Sequence, residues 1–321
     1  MAVLFRSIQD ELQKFDSHLL YYLKLLAPDI QSLIEPHVLN QGKRVRPALV
    51  FLSAALSHNS VPLKCYKFAS VVELIHSASL FHDDVLDNST IRRKKATLNK
   101  LHGNDLAVLA GDILYIHALS LMADEPLRLR KEVHRTVIEM TQSEVRQGMN
   151  RYVIPDQASY YDVIKGKTAS LIRLSCLLGS SVSDSMQVEN SISRYGLNLG
   201  LAFQVVDDLL DWTASEKLGK PRYQDCREGR VTLPVIELLN RLNNADQTHL
   251  KKILTRQDLA SHPDTGTLIY EKMIEHKIPE TIRNIARDLV NPEDKLDGTF
   301  DSSSYFSDLM SLKELVINRD T

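Results

Sequence analysis

The stretch Phe81-His82-Asp83-Asp84-Val85-Leu86-Asp87 has a close copy later in the chain, Gln204-Val205-Val206-Asp207-Asp208-Leu209-Leu210-Asp211. Each copy contains two adjacent aspartates, two apolar residues and a third aspartate. The first and third aspartates are four positions apart, so on a helix their carboxylates lie on one face, one turn from each other. The segments that precede both copies are apolar. The pattern therefore predicts two helices that each carry an acidic pair at the edge of a hydrophobic core.

Two such acidic pairs favour a divalent cation between them. A single cluster is more often a solvated helix face, but two copies in a chain of this length seldom arise by chance. Unpaired charge at a core edge costs on the order of several kcal/mol, so a cation is the natural partner. Carboxylate oxygens suit Mg²⁺, which keeps water ligands and shares its coordination shell with substrate phosphate. The sequence thus predicts a magnesium and diphosphate site between two helices.

The rest of the chain shows helical periodicity and no alternating strand pattern. Residues 4–26 carry apolar side chains at helical spacing, residues 104–122 and 130–150 are predicted to form further long helices, and residues 235–288 are helical with a polar face. We therefore expect an all-α protein in which residues 1–321 form a single large helix bundle and a single domain.

Composition is that of an ordinary globular protein. The chain has 321 residues, of which 25% are charged and 43% hydrophobic, and a formal net charge of -2, which argues against a nucleic-acid-binding protein. Cys65, Cys176 and Cys226 are odd in number and lack metal-ligand spacing, so reduced core thiols in a cytoplasmic protein are expected. Residues 1–13 lack a signal-peptide pattern, and no stretch predicts an integral membrane segment.

Two basic segments accompany the acidic ones. Gln41-Gly42-Lys43-Arg44-Val45-Arg46-Pro47 places cations at a glycine turn before an apolar helix, which fits an anion cradle as well as a solvated turn. Asn88–Lys95 contains the adjacent residues Arg92 and Arg93. These arginines can balance surface charge, but beside a metal site they favour binding of two separate phosphate groups.

Three other features have competing interpretations. A lone helix histidine is more often structural, but His76 lies two helical turns before Asp83 and can face the same cavity. Gly166-Lys167-Thr168 suggests a nucleotide-binding loop, but the earlier glycine of that motif and a preceding strand are missing, so we reject it. Residues 213–234 are basic and lack a period, which predicts a lid that closes on phosphate.

Taken together, these motifs resemble the trans-isoprenyl diphosphate synthase, or polyprenyl synthetase, family. The resemblance extends from about Gln41 to Leu238. It rests on Gly42-Lys43-Arg44-Val45-Arg46-Pro47, His76–Asp84, Arg92-Arg93, Lys167-Thr168, Phe203-Gln204 and Gly219-Lys220-Pro221. It implies helices around a deep central cavity, a homodimer, and Mg²⁺-dependent head-to-tail condensation of isopentenyl diphosphate with an allylic diphosphate.

The resemblance also assigns roles to individual residues. Three magnesium ions would be held by Asp83, Asp87 and Asp207, with Asp84, Asp208 and Asp211 supporting directly or through water. Isopentenyl diphosphate would be bound by Lys43, Arg46, His76 and Arg93. The allylic diphosphate would be bound by Arg92, Lys167, Thr168, Gln204 and Lys220.

The chain departs from the family pattern at several positions. Lys94-Lys95-Ala96 stands where the family commonly shows Gly-Lys-Pro, Tyr223 stands at a lid position that is usually glycine, and Arg230 stands where lysine is usual. These departures bear on the geometry of the lid. Every expected metal ligand is present.

Product length is predicted from the residues just before Asp83. In the family, a bulky aromatic residue five positions before the motif stops chain growth early, and here Ala78 and Ser79 are small. We expect a long product, hexaprenyl to octaprenyl diphosphate, although small residues also serve close helix packing. The alternatives are a farnesyl or geranylgeranyl diphosphate synthase and a non-catalytic partner subunit of a heteromeric synthase. A terpene cyclase does not need the second phosphate site, and a structural metal-binding bundle does not need the lid.

Overall fold

Helices form nearly all of the regular structure in the computed structural model, which describes residues 5–39, 42–213, 223–256, 264–290 and 303–319. The expected all-α class is confirmed. In the described part of the chain, no helix combines the length and apolar character needed to cross a membrane.

The helix bounds agree closely with the predicted segments 104–122 and 130–150, whereas the segment predicted at 4–26 is shorter and residues 235–288 are divided among several helices. A 3-10 turn at Arg6–Ile8 precedes α1 (Gln9–Leu23), α2 (Pro28–Val38), α3 (Val45–His58), α4 (Lys64–Leu86), α5 (Leu98–His102), α6 (Asn104–Leu121), α7 (Leu127–Met149) and α8 (Gln157–Ile164). A π-helical turn at Lys165–Ala169 leads into α9 (Ser170–Ser180), α10 (Met186–Thr213), α11 (Gln224–Arg227), α12 (Leu233–Leu239), α13 (Asn244–Leu254), α14 (Asp264–Glu275), α15 (Ile278–Leu289) and α16 (Ser304–Asn318).

The first compact unit, called unit 1, comprises Met1–Ile138, Leu171–Gly196 and Asp294–Ser311. Its central helix is α4, which is buried on all sides from Phe68 to Ile75 and is packed by α1, α3 and α6. Aromatic rings from three of these helices meet in the core, with Phe51 lying 6.1 Å from Phe15 and 5.0 Å from Tyr66 between ring centroids. This packing anchors the N-terminal part of α4, and the first acidic motif lies at the other end of the same helix.

The second compact unit, called unit 2, comprises Glu139–Ser170, Leu197–Glu293 and Leu312–Thr321. Helix α12 is packed by α8, α14 and α15. The rings of Trp212 and Tyr223 lie 5.2 Å apart, and Tyr270 lies 6.3 Å from Tyr223. These contacts hold the C-terminal end of α10, which carries the second acidic motif.

The three cysteines are core residues, as expected. Cys65, Cys176 and Cys226 are buried and have free thiols. Burial raises the pKa of each thiol to about 12, so all three remain neutral at pH 7.

Candidate functional site

The first acidic motif begins where the buried part of α4 ends. The amide of Asp87 donates a 2.8 Å hydrogen bond to the carbonyl of Asp83, so the two residues remain one helical turn apart. Both are partly exposed, whereas Asp84 between them is 4% exposed. Oδ1 of Asp84 accepts a 2.8 Å bond from Nε of Arg92. Asp84 therefore positions Arg92, and the partly exposed Asp83 and Asp87 are better suited to bind a metal ion.

Arg92 and Arg93 belong to a tight hairpin. Strands β1 (Ile91–Arg92) and β2 (Lys95–Ala96) pair antiparallel, and Arg93 and Lys94 connect them with φ angles of 50° and 66°. Positive φ at both connecting positions matches a type I′ turn, which fits the twist of the strands but strains residues other than glycine by about 1–2 kcal/mol. Glycine would avoid this strain, which agrees with the glycine that the family resemblance implies at the Lys94 position.

A cleft in unit 1 collects polar side chains from α4 and the hairpin. Its volume is about 520 Å³, counted with its opening to solvent. It brings together His76, Arg92 and Arg93, three of the residues that the sequence predicts to bind diphosphate. Its lining comprises His37, Glu73, His76, Ser77, Leu80, Phe81, Asp84, Arg92, Arg93, Lys95, Ala96 and Thr97.

The basic turn before α3 lies against the hairpin. A Cβ atom on Gly42, whose φ is +66°, would be 2.5 Å from Nη1 of Arg93, so the guanidinium group rests directly on the glycine backbone. Lys43 is exposed beside it, and Lys43 and Arg46 are absent from the described lining of the cleft. Nε of Arg46 is buried without a hydrogen-bond partner among the described residues. A buried donor of this kind fits a site that is completed by an anion.

Burial, and after it the neighbouring positive charges, lowers the pKa values of the basic groups around this cleft. Burial, together with the charge of Arg93, lowers the pKa of Arg46 to about 10, although the carboxylate of Glu73 opposes the shift. Burial and then the charges of Arg46 and Arg93 hold the pKa of His76 well below its usual range. His76 is therefore neutral at pH 7, with one ring N–H donor and one acceptor. A bound phosphate group would relieve the repulsion among these cations.

The second acidic motif, on α10, shows the same division between exposed and buried aspartates. The Asp207 side chain is 54% exposed, and its Oδ1 accepts a 2.8 Å bond from Nη2 of Arg319. Asp208 is 5% exposed, and burial raises its pKa well above the usual range. The hydroxyl of Tyr160 and the amide of Gln204 donate to the two carboxylate oxygens of Asp208 over 2.6 and 2.7 Å. Asp208 is thus a buried support, and Asp207 is the accessible carboxylate.

A π-helical turn completes this network. Thr168 donates a 2.6 Å bond to Oε1 of Gln204, so Tyr160 and Thr168 both contact the same side of α10. These two residues are eight positions apart, which on a regular helix would separate them by about 80° around the axis. The π-helical turn at Lys165–Ala169 takes up one extra residue and so returns Thr168 to the face of Tyr160. Its neighbour Lys167 pairs with Glu144 over 2.7 Å and with Gln147 over 2.6 Å.

The third aspartate of the second motif caps a short helix. The carboxylate oxygens of Asp211 accept bonds of 3.0 and 3.2 Å from the amides of Gln224 and Asp225, at the start of α11. Residues 213–234 are predicted to lack a helical or strand period, and the short helix α11 differs from that prediction. Burial and the nearby charge of Asp225 raise the pKa of Asp211 to about 7. Asp211 therefore orients the segment after α10, and its oxygens are already engaged.

Two departures from the family pattern fall in this segment. Tyr223 precedes α11 with a φ of 64°, a conformation that glycine adopts without strain, and its ring packs on Trp212. Arg230 pairs with Asp225 over 2.9 Å. The predicted phosphate-binding residue Lys220 lies outside the described residues, as do residues 214–222 of the predicted lid.

The donor set of the two motifs fits a hard divalent cation. Within the described ranges, no group of three or more metal-ligating side chains is already assembled. Asp83, Asp87 and Asp207 offer oxygen donors that are partly or largely exposed. Such donors suit Mg²⁺, which uses few carboxylates and completes its shell with water and substrate phosphate.

Several residues of the site were missed by sequence reasoning. Glu73, 5% exposed, is a lone carboxylate in the apolar segment of α4, and this is a signal that sequence inspection can use. Tyr160 carries a hydroxyl on an apolar helix just before Gly166-Lys167-Thr168, which is a weaker signal. The sequence contains no signal for His37 or Arg319, because their contacts depend on distant parts of the chain.

Replacing Tyr160 by phenylalanine is expected to lower the free energy of unfolding by about 1–3 kcal/mol, because a buried oxygen of Asp208 loses its donor. Urea unfolding followed by circular dichroism measures this change. Tyr21→Phe is the matched control, since Tyr21 is 61% exposed and its change should stay within about 0.5 kcal/mol. Equal losses in the two variants would contradict the support that we assign to Tyr160.

Comparisons with known proteins all point to one family. The polyprenyl synthetase family model matches residues 28–273. An octaprenyl diphosphate synthase of Haemophilus influenzae is 33% identical over 316 residues, which are 97% of this chain and 94% of that protein. A polyprenyl synthase structure from Caulobacter crescentus, complexed with calcium and isoprenyl diphosphate, has a TM-score of 0.87 and 27% identity, covering 99% of this chain and 97% of that one. A heptaprenyl diphosphate synthase structure from Staphylococcus aureus has a TM-score of 0.87 and 27% identity, covering 98% and 99% of the two chains.

Proposed function

Because the chain belongs to the polyprenyl synthetase family, we propose that it joins isopentenyl diphosphate head to tail to an allylic diphosphate and makes a long-chain all-trans polyprenyl diphosphate. It is a prenyltransferase. The observation that carries this conclusion is the cleft of unit 1, where Arg92 is fixed by Asp84 beside Arg93 and neutral His76. The positive charges of Arg92 and Arg93 in this cleft suit the negative charge of a diphosphate.

Isopentenyl diphosphate binds to the basic side of this cleft. The guanidinium group of Arg93 lies against the backbone of Gly42 and can bind phosphate oxygens. The buried Nε–H of Arg46 can donate a hydrogen bond to a phosphate oxygen. His76 donates its single ring N–H, and Lys43 approaches from the exposed turn. Four donors around one diphosphate give both charge neutralisation and orientation.

The allylic diphosphate binds with the help of Mg²⁺ and a second set of donors. Three Mg²⁺ ions, when bound, would neutralise the charge that develops on the leaving diphosphate. Asp83, Asp87 and Asp207 would hold these ions, with Asp84, Asp208 and Asp211 in support. The remaining donors are Arg92, Lys167, Thr168, Gln204 and Lys220. Lys167 must then exchange its bond to Glu144 for one to phosphate.

The product is hexaprenyl to octaprenyl diphosphate. Ala78 is fully buried, and the hydroxyl of Ser79 donates to the carbonyl of His76 over 2.8 Å, so neither residue projects a large or free polar group. Small side chains upstream of Asp83 leave room for a growing prenyl chain. The octaprenyl synthase from Haemophilus influenzae supports this range.

The protein is a homodimer. Helix α6 exposes large apolar side chains along one stripe, with Leu106 44%, Leu109 56% and Ile116 66% exposed. Residues at this spacing share a helix face, and an exposed apolar stripe is typical of a protein interface. Sedimentation at micromolar concentration checks this, and a monomer would contradict it.

Residues 1–321 act as one catalytic domain. The family match runs through both compact units.

The protein works in the cytoplasm. The three buried cysteines with free thiols suit a reducing compartment. Cell fractionation with an antibody to the chain tests the compartment, and enrichment in an organelle would contradict it.

Incubation with labelled isopentenyl diphosphate tests the central activity. With Mg²⁺ and farnesyl diphosphate as the allylic starter, the folded protein should incorporate label into products that chromatography resolves by length. Omission of Mg²⁺ or of the starter is the control and should abolish incorporation. No incorporation by the folded chain of residues 1–321 would favour a partner subunit, and products that stop at geranylgeranyl diphosphate would favour a short-chain synthase.

A further inference from the structure

Arg319, which follows the last helix, lies directly on the second acidic motif. Its Nη2 donates to Oδ1 of Asp207 over 2.8 Å and to the carbonyl of Phe203 over 3.0 Å. Its guanidinium carbon lies 4.1 Å above the centroid of the Phe203 ring. Arg319 and Asp207 are 112 residues apart in the sequence, so only the fold of unit 2 brings them together.

The arginine is held in place. Its side chain is 15% exposed, whereas that of Asp207 is 54% exposed. Burial lowers the pKa of Arg319, and the carboxylate of Asp207 opposes this shift, so the guanidinium group stays charged. Stacking on a ring and bonding to a backbone carbonyl fix its plane. The accessible carboxylate of the motif therefore has a built-in positive neighbour.

We propose that Arg319 is the resident counter-cation of Asp207, and that it keeps this carboxylate a weak metal ligand until a substrate diphosphate is present. The inference rests on the proposed function and concerns how the site becomes loaded. A fixed positive charge next to Asp207 repels an arriving divalent cation. A diphosphate supplies further oxygens and negative charge, which outweigh that repulsion. Arg319 thus acts as a positioning residue through Asp207.

Binding of Mn²⁺ to the protein without substrate tests this proposal, with electron paramagnetic resonance counting free ions. Arg319→Gln should bind Mn²⁺ about tenfold more tightly than the wild type, because the repelling charge is gone. Arg319→Lys should stay near the wild type. Adding inorganic diphosphate should reduce the difference in Mn²⁺ affinity between the wild type and Arg319→Gln. The matched control is Arg287→Gln, an exposed arginine of unit 2 that bonds to Asn284.

The double variant Asp207→Asn, Arg319→Gln separates an effect through Asp207 from a general one. If Arg319 acts through Asp207, the tighter binding should disappear in this variant. Unchanged or weaker Mn²⁺ binding in Arg319→Gln would overturn the proposal and leave Arg319 a structural residue. If Arg319→Gln does not fold, a chain ending at Asn318 provides the same comparison. If Mn²⁺ binding contradicts the role of Arg319 but the wild type incorporates isopentenyl diphosphate normally, the proposed function still holds.

Discussion

Asp83→Ala is expected to lower the turnover number by about 10²–10³-fold or more while the protein stays folded. The carboxylate of Asp83 is partly exposed at the end of α4, so its removal leaves no large cavity in the core. The loss falls on the stabilisation of charge in the transition state, which is typically the largest single contribution to catalysis. Incorporation of labelled isopentenyl diphosphate at saturating substrate measures it.

A matched control separates loss of the metal ligand from loss of charge. Asp184→Ala removes an exposed carboxylate in the segment between α9 and α10 of unit 1, and it should leave turnover unchanged. Circular dichroism should show the same helical content for both variants. A near-normal rate for Asp83→Ala would remove this residue from the metal site.

Ala78→Phe should shorten the product to farnesyl or geranylgeranyl diphosphate. Ala78 is fully buried, and a phenyl ring five residues before Asp83 would fill the space that a growing chain needs. The substitution also overpacks the core, which typically costs about 1–3 kcal/mol of stability. Chromatography of the prenyl alcohols obtained after dephosphorylation measures the product distribution.

Ala69→Phe is the control for the cost of overpacking. Ala69 is equally buried and lies nine residues earlier on α4, which places it about 180° around the helix from Ala78. It should lower stability without changing the product length. An unchanged product from Ala78→Phe would exclude Ala78 from length control, and equal shortening by Ala69→Phe would point to a general loss of packing.

Local patterns predicted the features that depend on short stretches of sequence. Spacing of four residues between Asp83 and Asp87 predicted one turn of helix, and the backbone bond between them agrees. Apolar periodicity located α6 and α7 to within a few residues. Such features are set by neighbours in the chain, so a single sequence contains the information.

Features that depend on distant partners could not be predicted in this way. The spacing of the motif does not tell which of Asp207 and Asp208 is exposed, and only the family resemblance assigns them different roles. In the structure one is exposed beside Arg319 and the other is buried beside Tyr160. The difference follows from which side of α10 meets the rest of unit 2. The strained φ of Lys94 likewise follows from the pairing of two strands rather than from its own preference.

The wide turn at Lys165–Ala169 takes up one residue more than ordinary helical winding, so it links the length of this segment to the face on which Thr168 lies. A chain one residue shorter that wound the segment as a regular helix would separate the positions of Tyr160 and Thr168 by seven residues, about 20° around the axis, and would keep both on the same side of α10. A chain of the same length without the wide turn would instead carry Thr168 about 80° away from the face of Tyr160 and break its bond to Gln204, although no residue of the network had been substituted. Chains that share this network are therefore expected to combine either eight residues with the wide turn or seven residues with a regular helix.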